Sequence, residues 1–231
     1  MIAENLASIQ SRIREAASRA GRDPSEIRLV AAAKGQEISK VQEALAAGVK
    51  IFGHNYVQEA EGQKPIITGP EVQIHMIGHL QKNKAGKAVE LFDVIETVDN
   101  EELARALDRR AGMVGRVIGV MIQVNLAKEP QKSGCDEGRT ADLAGLIRDL
   151  ANLELRGLMT MPPFFDQPKE ARPYFARLRQ LRDRLMASEV LTPEMNELSM
   201  GMTGDFEVAV EEGATLVRIG TALFGPRDVR L

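Results

Sequence analysis

A single lysine at the end of an apolar run is the first feature of the sequence that suggests covalent chemistry. Residues Leu29-Val30-Ala31-Ala32-Ala33 are small or apolar, which predicts a strand that is buried on both faces and ends at Lys34. Lysine is rarely fully buried without a role, and burial lowers the pKa of its amine, which favours Schiff-base formation with an aldehyde. The alternative interpretation is that Lys34 opens a solvated loop.

Two glycine-bearing turns late in the chain are typical of an anion site. The first, Ser199-Met200-Gly201-Met202-Thr203-Gly204-Asp205, leads into a predicted helix, and the second, Arg218-Ile219-Gly220-Thr221, ends a predicted strand. Backbone N–H groups in such turns, with hydroxyls and a fixed positive charge nearby, bind phosphate. The alternative is two ordinary turns that need glycine for their geometry.

Strands and helices alternate along the sequence. After the strand ending at Lys34, strands are predicted over residues 49–53, 72–78, 94–98, 117–124, 153–159, 194–200 and 214–220. Helices are predicted over residues 2–20, 39–47, from 54 onward, 82–91, 101–111, 140–151, 168–188 and 205–212. We predict a capping box at Ser39 and an N-cap at Asn100.

This order of elements predicts an α/β fold, a single (β/α)8 TIM barrel with an extra N-terminal helix, over residues 1–231 as one domain. A doubly wound open sheet is the alternative. In a barrel the functional side chains lie at the C-terminal ends of the strands, which would gather Lys34, Asn55 and Arg218 at one face. Phosphate sites of barrels often follow strands 7 and 8, and strand 8 is the neighbour of strand 1.

An aldehyde that carries a phosphate would use both the lysine and the two turns. Pyridoxal 5′-phosphate (PLP) is such a ligand, and a phosphorylated sugar bound by a Schiff-base aldolase is another. The residues alone leave both possibilities open.

Composition excludes several other classes of function. The net charge of −3 over 231 residues gives no basic surface for nucleic acid or an anionic membrane, and no apolar run approaches the roughly 20 residues of a membrane span. The single cysteine, Cys135, cannot form an intrachain disulfide, and the N-terminus does not resemble a secretory signal. We therefore expect a soluble cytoplasmic protein that binds neither nucleic acid nor membranes.

The three histidines, His54, His75 and His79, do not predict a metal site, because no cysteine or clustered carboxylate accompanies them. We predict instead that His75 is a hydrogen-bonded core residue. Three lysines on the helix over residues 82–91 are predicted to be a solvated face, with a weak anion-binding surface as the alternative. They are Lys82, Lys84 and Lys87.

Several motifs, spread in order over nearly the whole chain, carry a family resemblance. They are FGHNYVQE at 52–59, HMIGHLQKNK at 75–84, QVN at 123–125, KSG at 132–134, RGLMTMPP at 156–163, LSMGM at 198–202, DF at 205–206, VRIGT at 217–221 and FG at 224–225. In these motifs the chain resembles the pyridoxal phosphate homeostasis proteins, which are short relatives of the alanine racemase barrel domain.

The resemblance implies a barrel that holds PLP as an aldimine of Lys34. Asn55 would line the pocket, and Arg218 would face the pyridine nitrogen of the cofactor. The phosphate-holding positions implied by the resemblance are Ser199, Gly201, Gly220 and Thr221. Because arginine stays protonated, the nitrogen facing it would accept a hydrogen bond and remain neutral, which makes the ring a poorer electron sink.

The function implied is intracellular PLP homeostasis, with PLP buffered or delivered by a non-catalytic protein that contacts apo PLP-dependent enzymes transiently. A PLP-dependent racemase or decarboxylase is the alternative. A racemase needs an acid/base group on each face of the cofactor, and in alanine racemases an additional domain of another subunit supplies the second group. The sequence ends soon after the eighth predicted strand, and neither Tyr56 nor Tyr174 is predicted at the C-terminal end of a strand. Without the additional domain, we expect a monomer.

Three residues depart from the family pattern. Ala33 and Gly35 stand where the family usually has serine and threonine, and His54 stands where it usually has glutamate. We expect these changes to touch the rim of the pocket and to leave the cofactor-binding residues intact.

Overall fold

The structure is a computed structural model that describes residues 1–127, 129 and 133–226, in which eight strands close into a parallel barrel in sequence order. The strands are β1 (Arg28–Ala32), β2 (Ile51–His54), β3 (Gln73–Met76), β4 (Val94–Val98), β5 (Ile118–Gln123), β6 (Leu153–Met159), β7 (Glu197–Met202) and β8 (Leu216–Ile219). The barrel closes where β1 pairs with β8, which places Arg28 beside Leu216 and Ala31 beside Ile219.

Helices surround the barrel. They are α1 (Ile2–Arg19), α2 (Ile38–Ala46), α3 (Val57–Gln63), α4 (Ala85–Leu91), α5 (Glu101–Met113), α6 (Thr140–Arg148), α7 (Arg172–Ala187), α8 (Phe206–Glu211) and α9 (Thr221–Phe224). Helix α1, which precedes the barrel, buries the apolar stripe that its sequence spacing predicts and packs against α8 and α9. In the described part of the chain, no helix is both long and apolar enough to cross a bilayer.

Alternation along each strand divides the core into two parts. The larger apolar cluster lies between the strands and the helices, whereas a separate cluster fills the barrel interior. The interior cluster includes Val94 on β4 and Leu216 on β8. Because side chains two residues apart on a strand face the same side, Glu96 and Arg218 also point into the barrel, one layer closer to its C-terminal end.

The predicted barrel and N-terminal helix are confirmed, and the open sheet is excluded by the β1–β8 pairing. The predicted N-cap is also confirmed, because Asn100 accepts a hydrogen bond from the N–H of Leu103. The prediction that residues 1–231 form one domain stays a prediction, since residues 227–231 lie outside the described residues. Lys132 of the KSG motif also lies outside them.

Several local predictions are wrong. Helix α2 begins at Ile38, so Ser39 lies inside it, and no side chain caps its N-terminus. His54 ends β2 rather than opening a helix. The segments at 82–84 and 168–171 are single turns of 3-10 helix that precede α4 and α7, and the four-residue α9 was not predicted. Short 3-10 turns and helices carry too few residues for a period to show.

Candidate functional site

A cavity of about 360 Å³ opens at the C-terminal ends of the strands, where the barrel places functional side chains. Five of the seven predicted site residues line it, and these are Lys34, Asn55, Arg218, Gly220 and Thr221. The pairing of β1 with β8 brings the C-terminal end of the first strand next to that of the last strand. Sequence positions almost 190 residues apart therefore share one pocket.

Lys34 lies two residues beyond β1 and is half-buried rather than enclosed. Its Nζ lies 5.1 Å from the centre of the Tyr56 ring, a cation–π contact. Tyr56 follows β2 by two residues and is exposed over 53% of its surface. The prediction that no tyrosine lies at the C-terminal end of a strand is therefore wrong for Tyr56, whereas Tyr174 lies in α7.

Asn55 is held at the cavity by a close approach between two chain segments. A Cβ added at Gly78 would lie 2.3 Å from the carbonyl oxygen of Asn55, so only glycine allows the loop after β3 to pass there. The Gly78 carbonyl in turn accepts a hydrogen bond of 2.7 Å from the Thr97 hydroxyl. This contact explains the glycine of the HMIGHLQKNK motif and fixes the segment that carries Asn55.

The turns after β7 and β8 form the polar end of the cavity. Thr203 and Gly204 follow β7, and Gly220 and Thr221 follow β8. A Cβ at Gly204 would meet no atom within 4 Å, and one at Gly220 would come no closer than 3.5 Å to Ala32. Since packing does not demand glycine at either position, both leave backbone and space open to a ligand.

Gly201 and Ser199 do not line the cavity. Gly201 has a φ of +91°, and a Cβ there would lie 2.5 Å from the Cβ of Ala209, so the packing of α8 requires this glycine. Ser199 is fully buried inside the barrel. Thr203 and Gly204, which follow Ser199 and Gly201 by four and three residues, line the cavity instead.

A chain of buried hydrogen bonds crosses the barrel beneath the cavity. The Glu96 carboxylate lies 2.7 Å from His75 Nδ1 and accepts a 2.5 Å bond from the Ser199 hydroxyl. Arg218 donates to that hydroxyl at 2.6 Å and to the carbonyl oxygen of Thr160 at 2.9 Å. His75 is thus the hydrogen-bonded core residue that its sequence context predicts.

Burial and neighbouring groups shift the pKa values of the two charged residues in this hydrogen-bonded network. Burial alone would raise the pKa of Glu96, but the bonds from His75 and Ser199 and the charge of Arg218 lower it below its ordinary value. Burial lowers the pKa of the Arg218 guanidinium, and the charge of Glu96 opposes this. Sequence reasoning missed Glu96, although a lone carboxylate inside the apolar run of β4 was a signal that it has a partner.

An apolar wall faces the polar end of the cavity. It comes from the segment between β6 and α7 and consists of Met161, Pro163, Phe164, Phe165, Pro168 and Ala171. Phe164 is 88% exposed, so the wall continues onto the surface around the mouth. The MPP sequence disfavours helix formation in this segment, and residues 160–165 form neither a helix nor a strand.

The departures from the family pattern lie away from the cavity lining. Ala33 and His54 are fully buried, and neither lines the cavity, so the expectation that they touch its rim is wrong. Gly35 is exposed with a φ of +66°, which favours glycine. Neither ring nitrogen of His54 finds a hydrogen-bond partner among the described residues, and burial lowers the pKa of this histidine to about 4.

Neither a metal site nor a buried lysine is found where the histidines and the lysines of residues 82–91 were considered, in the part of the chain that the structure describes. In residues 1–127, 129 and 133–226, no group of three or more His, Cys, Asp or Glu side chains is arranged to hold a metal ion. Lys82 pairs with Glu102, and Lys87 pairs with Glu61 at 2.8 Å. All four side chains are largely exposed, which agrees with the solvated face predicted for this helix.

Comparison with known proteins identifies the family to which the chain is similar. The model of the family described as alanine racemase, N-terminal domain, matches residues 5–228. A Pseudomonas aeruginosa protein named pyridoxal phosphate homeostasis protein is 42% identical over 98% of this chain and 96% of its own length. A protein of the same name from Aquifex aeolicus is 39% identical over 97% of both chains.

Solved structures agree with this class. PipY of Synechococcus elongatus is 38% identical and has been solved with PLP bound, with a TM-score of 0.84 over 97% of this chain and 100% of PipY. The structure of PipY without PLP gives a TM-score of 0.85 over the same shares. The chain therefore belongs to the pyridoxal phosphate homeostasis proteins, whose barrel is that of the alanine racemase N-terminal domain.

Buried His54 predicts a loss of stability in mild acid. The unfolded chain binds a proton near pH 6.5, whereas folded His54 does so only near pH 4, so protonation favours unfolding as the pH falls between these values. From pH 7 to pH 5, we expect the wild type to lose about 2 kcal/mol more unfolding free energy than His54→Gln. Urea unfolding monitored by circular dichroism at both pH values measures this difference.

The matched control is His79→Gln, because His79 is exposed. This variant should keep the pH dependence of the wild type. Equal slopes for the wild type and His54→Gln would mean that His54 is not held neutral by the fold.

Proposed function

We propose that this protein binds PLP in the cavity at the C-terminal ends of the strands and takes part in PLP homeostasis. One observation carries the proposal: the Lys34 amine, the buried Arg218 guanidinium and the threonine–glycine turns after β7 and β8 line the same cavity. The names of the relatives and the PLP held by PipY support it. When bound, PLP supplies an aldehyde that joins an amine and a ring that can withdraw electrons.

The residues of the cavity fit this ligand. Lys34 offers a half-buried amine at the mouth, where the aldehyde would reach it. The phosphate would lie between the two turns, where the Thr203 and Thr221 hydroxyls donate and the open positions at Gly204 and Gly220 let the backbone approach. Asn55 lines the same cavity from β2.

Arg218 determines how this site treats the ring nitrogen of the ligand. A guanidinium has only donors, so a ring nitrogen facing it accepts a hydrogen bond and carries no proton. An unprotonated ring withdraws electrons poorly. The chain's own residues therefore hold and orient the ligand without favouring amino-acid chemistry on it.

We propose that Ser199 and Gly201 act one layer below the ligand. The Ser199 hydroxyl accepts a hydrogen bond from Arg218 and donates its only hydrogen to Glu96, so it has no hydrogen left for a phosphate. Gly201 lets α8 pack against β7. Both residues would then matter for binding through the parts of the site that they position.

The relatives are named homeostasis proteins rather than enzymes. We propose accordingly that the protein stores PLP, or delivers it to apo enzymes that it contacts transiently, as a monomer in the cytoplasm. A PLP-dependent racemase or decarboxylase is the second candidate, and the observation that favours it is Tyr56. This phenol lies next to Lys34 and could exchange a proton there.

Lys34 should be the covalent attachment point. After addition of PLP and borohydride, we expect the reduced adduct of the wild type on the peptide that contains Lys34. Lys34→Ala should give no adduct and should bind PLP about 100-fold more weakly, because the phosphate and ring contacts remain. Peptide mass mapping measures the first effect and equilibrium dialysis the second.

Lys50→Ala is the matched control, since Lys50 is an exposed lysine at the opposite end of the barrel, before β2. It should behave as the wild type does. An adduct that maps to another lysine, or that persists in Lys34→Ala, would contradict the assignment.

A PLP carrier and a PLP-dependent racemase should differ in how fast they exchange the α-proton of an amino acid with solvent. We expect the PLP-loaded protein in D2O to exchange the α-proton of alanine no faster than the same concentration of free PLP, as the Arg218 environment keeps the ring nitrogen unprotonated. Proton NMR measures this rate. Exchange well above that of free PLP that is lost in Tyr56→Phe would establish the racemase-type candidate instead.

Delivery predicts transfer of PLP to an acceptor. Loaded wild-type protein mixed with an apo aminotransferase should restore its activity within minutes to hours. An equal amount of borohydride-reduced protein should restore none, because its ligand is fixed to Lys34. If the loaded protein also restores none over hours, the protein stores PLP and does not deliver it.

A further inference from the structure

The carboxylate of Glu96 reaches Arg218 through a single hydroxyl group. Glu96 is in the middle of β4, Ser199 is on β7 and Arg218 is on β8, and all three are buried. We propose that Glu96 is a positioning residue for PLP binding: acting through Ser199, it holds the Arg218 guanidinium in the orientation that meets the cofactor ring. This inference rests on the proposed function and extends it to a residue that does not line the cavity.

The direction of each hydrogen bond follows from the donors available. Arginine has donors and no acceptor, so at 2.6 Å the Ser199 oxygen accepts from Arg218. The single hydrogen of Ser199 must then point elsewhere, and the Glu96 Oε2 atom lies 2.5 Å away to accept it. One arrangement satisfies all three groups, so the hydroxyl transmits the position of the carboxylate to the guanidinium.

Glu96 is itself fixed on its other side. Its Oε1 atom accepts from His75 Nδ1 at 2.7 Å, and the second ring nitrogen of His75 lies 3.2 Å from Gln73 Oε1. Both carboxylate oxygens are thus held by side chains from strands on either side of the barrel, β3 and β7. A carboxylate fixed in this way is a rigid reference point for Ser199.

The guanidinium has a second anchor. Its other terminal nitrogen donates to the carbonyl oxygen of Thr160, at the end of β6, at 2.9 Å. Two of its five N–H groups are engaged in this way, which sets the plane of the guanidinium, and Arg218 still lines the cavity. The negative charge of buried Glu96 also favours this placement, because charges attract more strongly in a low-dielectric interior than in water.

Loss of Glu96 or Ser199 should therefore act on PLP through Arg218. Without the carboxylate, the hydroxyl no longer has a charged acceptor, and without the hydroxyl, the carboxylate no longer reaches Arg218. Either change frees the guanidinium to turn, so the donor that faces the ring nitrogen is no longer fixed. We expect each single change to weaken PLP binding about tenfold.

A double-mutant cycle tests whether the two residues act as one unit. Glu96→Gln and Ser199→Ala should each raise the Kd for PLP about tenfold, and the double variant should raise it no more than about threefold beyond either. If the two substitutions acted independently, their effects would multiply and the Kd of the double variant would rise about 100-fold, a result that would overturn the proposal. Equilibrium dialysis with PLP measures all four proteins.

Thr140→Val is the control for general damage. Thr140 is fully buried at the start of α6, outside the barrel, and donates to the Asp136 carbonyl at 3.3 Å, so this variant loses a partly buried hydrogen bond without changing Arg218. It should lower the melting temperature and leave the Kd for PLP as in the wild type. If Glu96→Gln does not fold, Ser199→Ala decides alone, and an unchanged Kd in that folded variant contradicts the proposal.

A measurement without PLP separates this inference from the proposed function. In the protein free of ligand, solvent exchange of the Arg218 guanidinium protons, assigned by their loss in Arg218→Lys, should be at least tenfold faster in Ser199→Ala and Glu96→Gln. Unchanged exchange would overturn the positioning role. A wild type that shows slow exchange and yet binds no PLP would instead contradict the proposed function.

Discussion

The closed barrel has to accommodate a pair of opposite charges that are almost completely buried. Glu96 and Arg218 are 0% and 4% exposed, and each would be costly to bury without the other. Ser199, His75 and Thr160 complete the hydrogen bonding that such a pair needs. These residues come from β3, β4, β7, β8 and the end of β6, so the strands must keep their register for any of them to be satisfied.

Because of this constraint, the cavity combines a buried, hydrogen-bonded cation with an amine that is only half-buried. Arg218 donates hydrogen bonds below the cavity to the Ser199 hydroxyl and the Thr160 carbonyl oxygen, whereas Lys34 lies beyond the end of β1 and contacts the ring of Tyr56. A buried, hydrogen-bonded cation together with a half-buried amine near the surface would suit the proposed ligand, which must be held in one orientation and also released. The exposed apolar wall around Phe164 leaves the opening accessible.

Sequence reasoning reaches the features that are local or periodic. The barrel, α1, Asn100 as an N-cap and the lysine after β1 follow from apolar spacing and from single residues at element ends. Partners across the barrel do not follow, because Glu96 and Ser199 are 103 residues apart and neither carries a local signal of the other. Thr203 and Gly204 line the cavity in place of the predicted Ser199 and Gly201. This difference depends on the direction of the turn after β7, which the LSMGM motif does not reveal.

The chain separation of the cavity residues also has a consequence for biosynthesis. Lys34 comes from the first strand, whereas Arg218, Gly220 and Thr221 come from the last, and the bond between Ser199 and Glu96 joins the two halves of the chain. Until β8 leaves the ribosome, Glu96 has no Arg218 to balance its charge, and the cavity lacks the residues that β8 and the turn after it contribute. A ligand that needs both ends of the chain could bind only after synthesis of the barrel is complete, so it would stabilise finished molecules rather than folding intermediates.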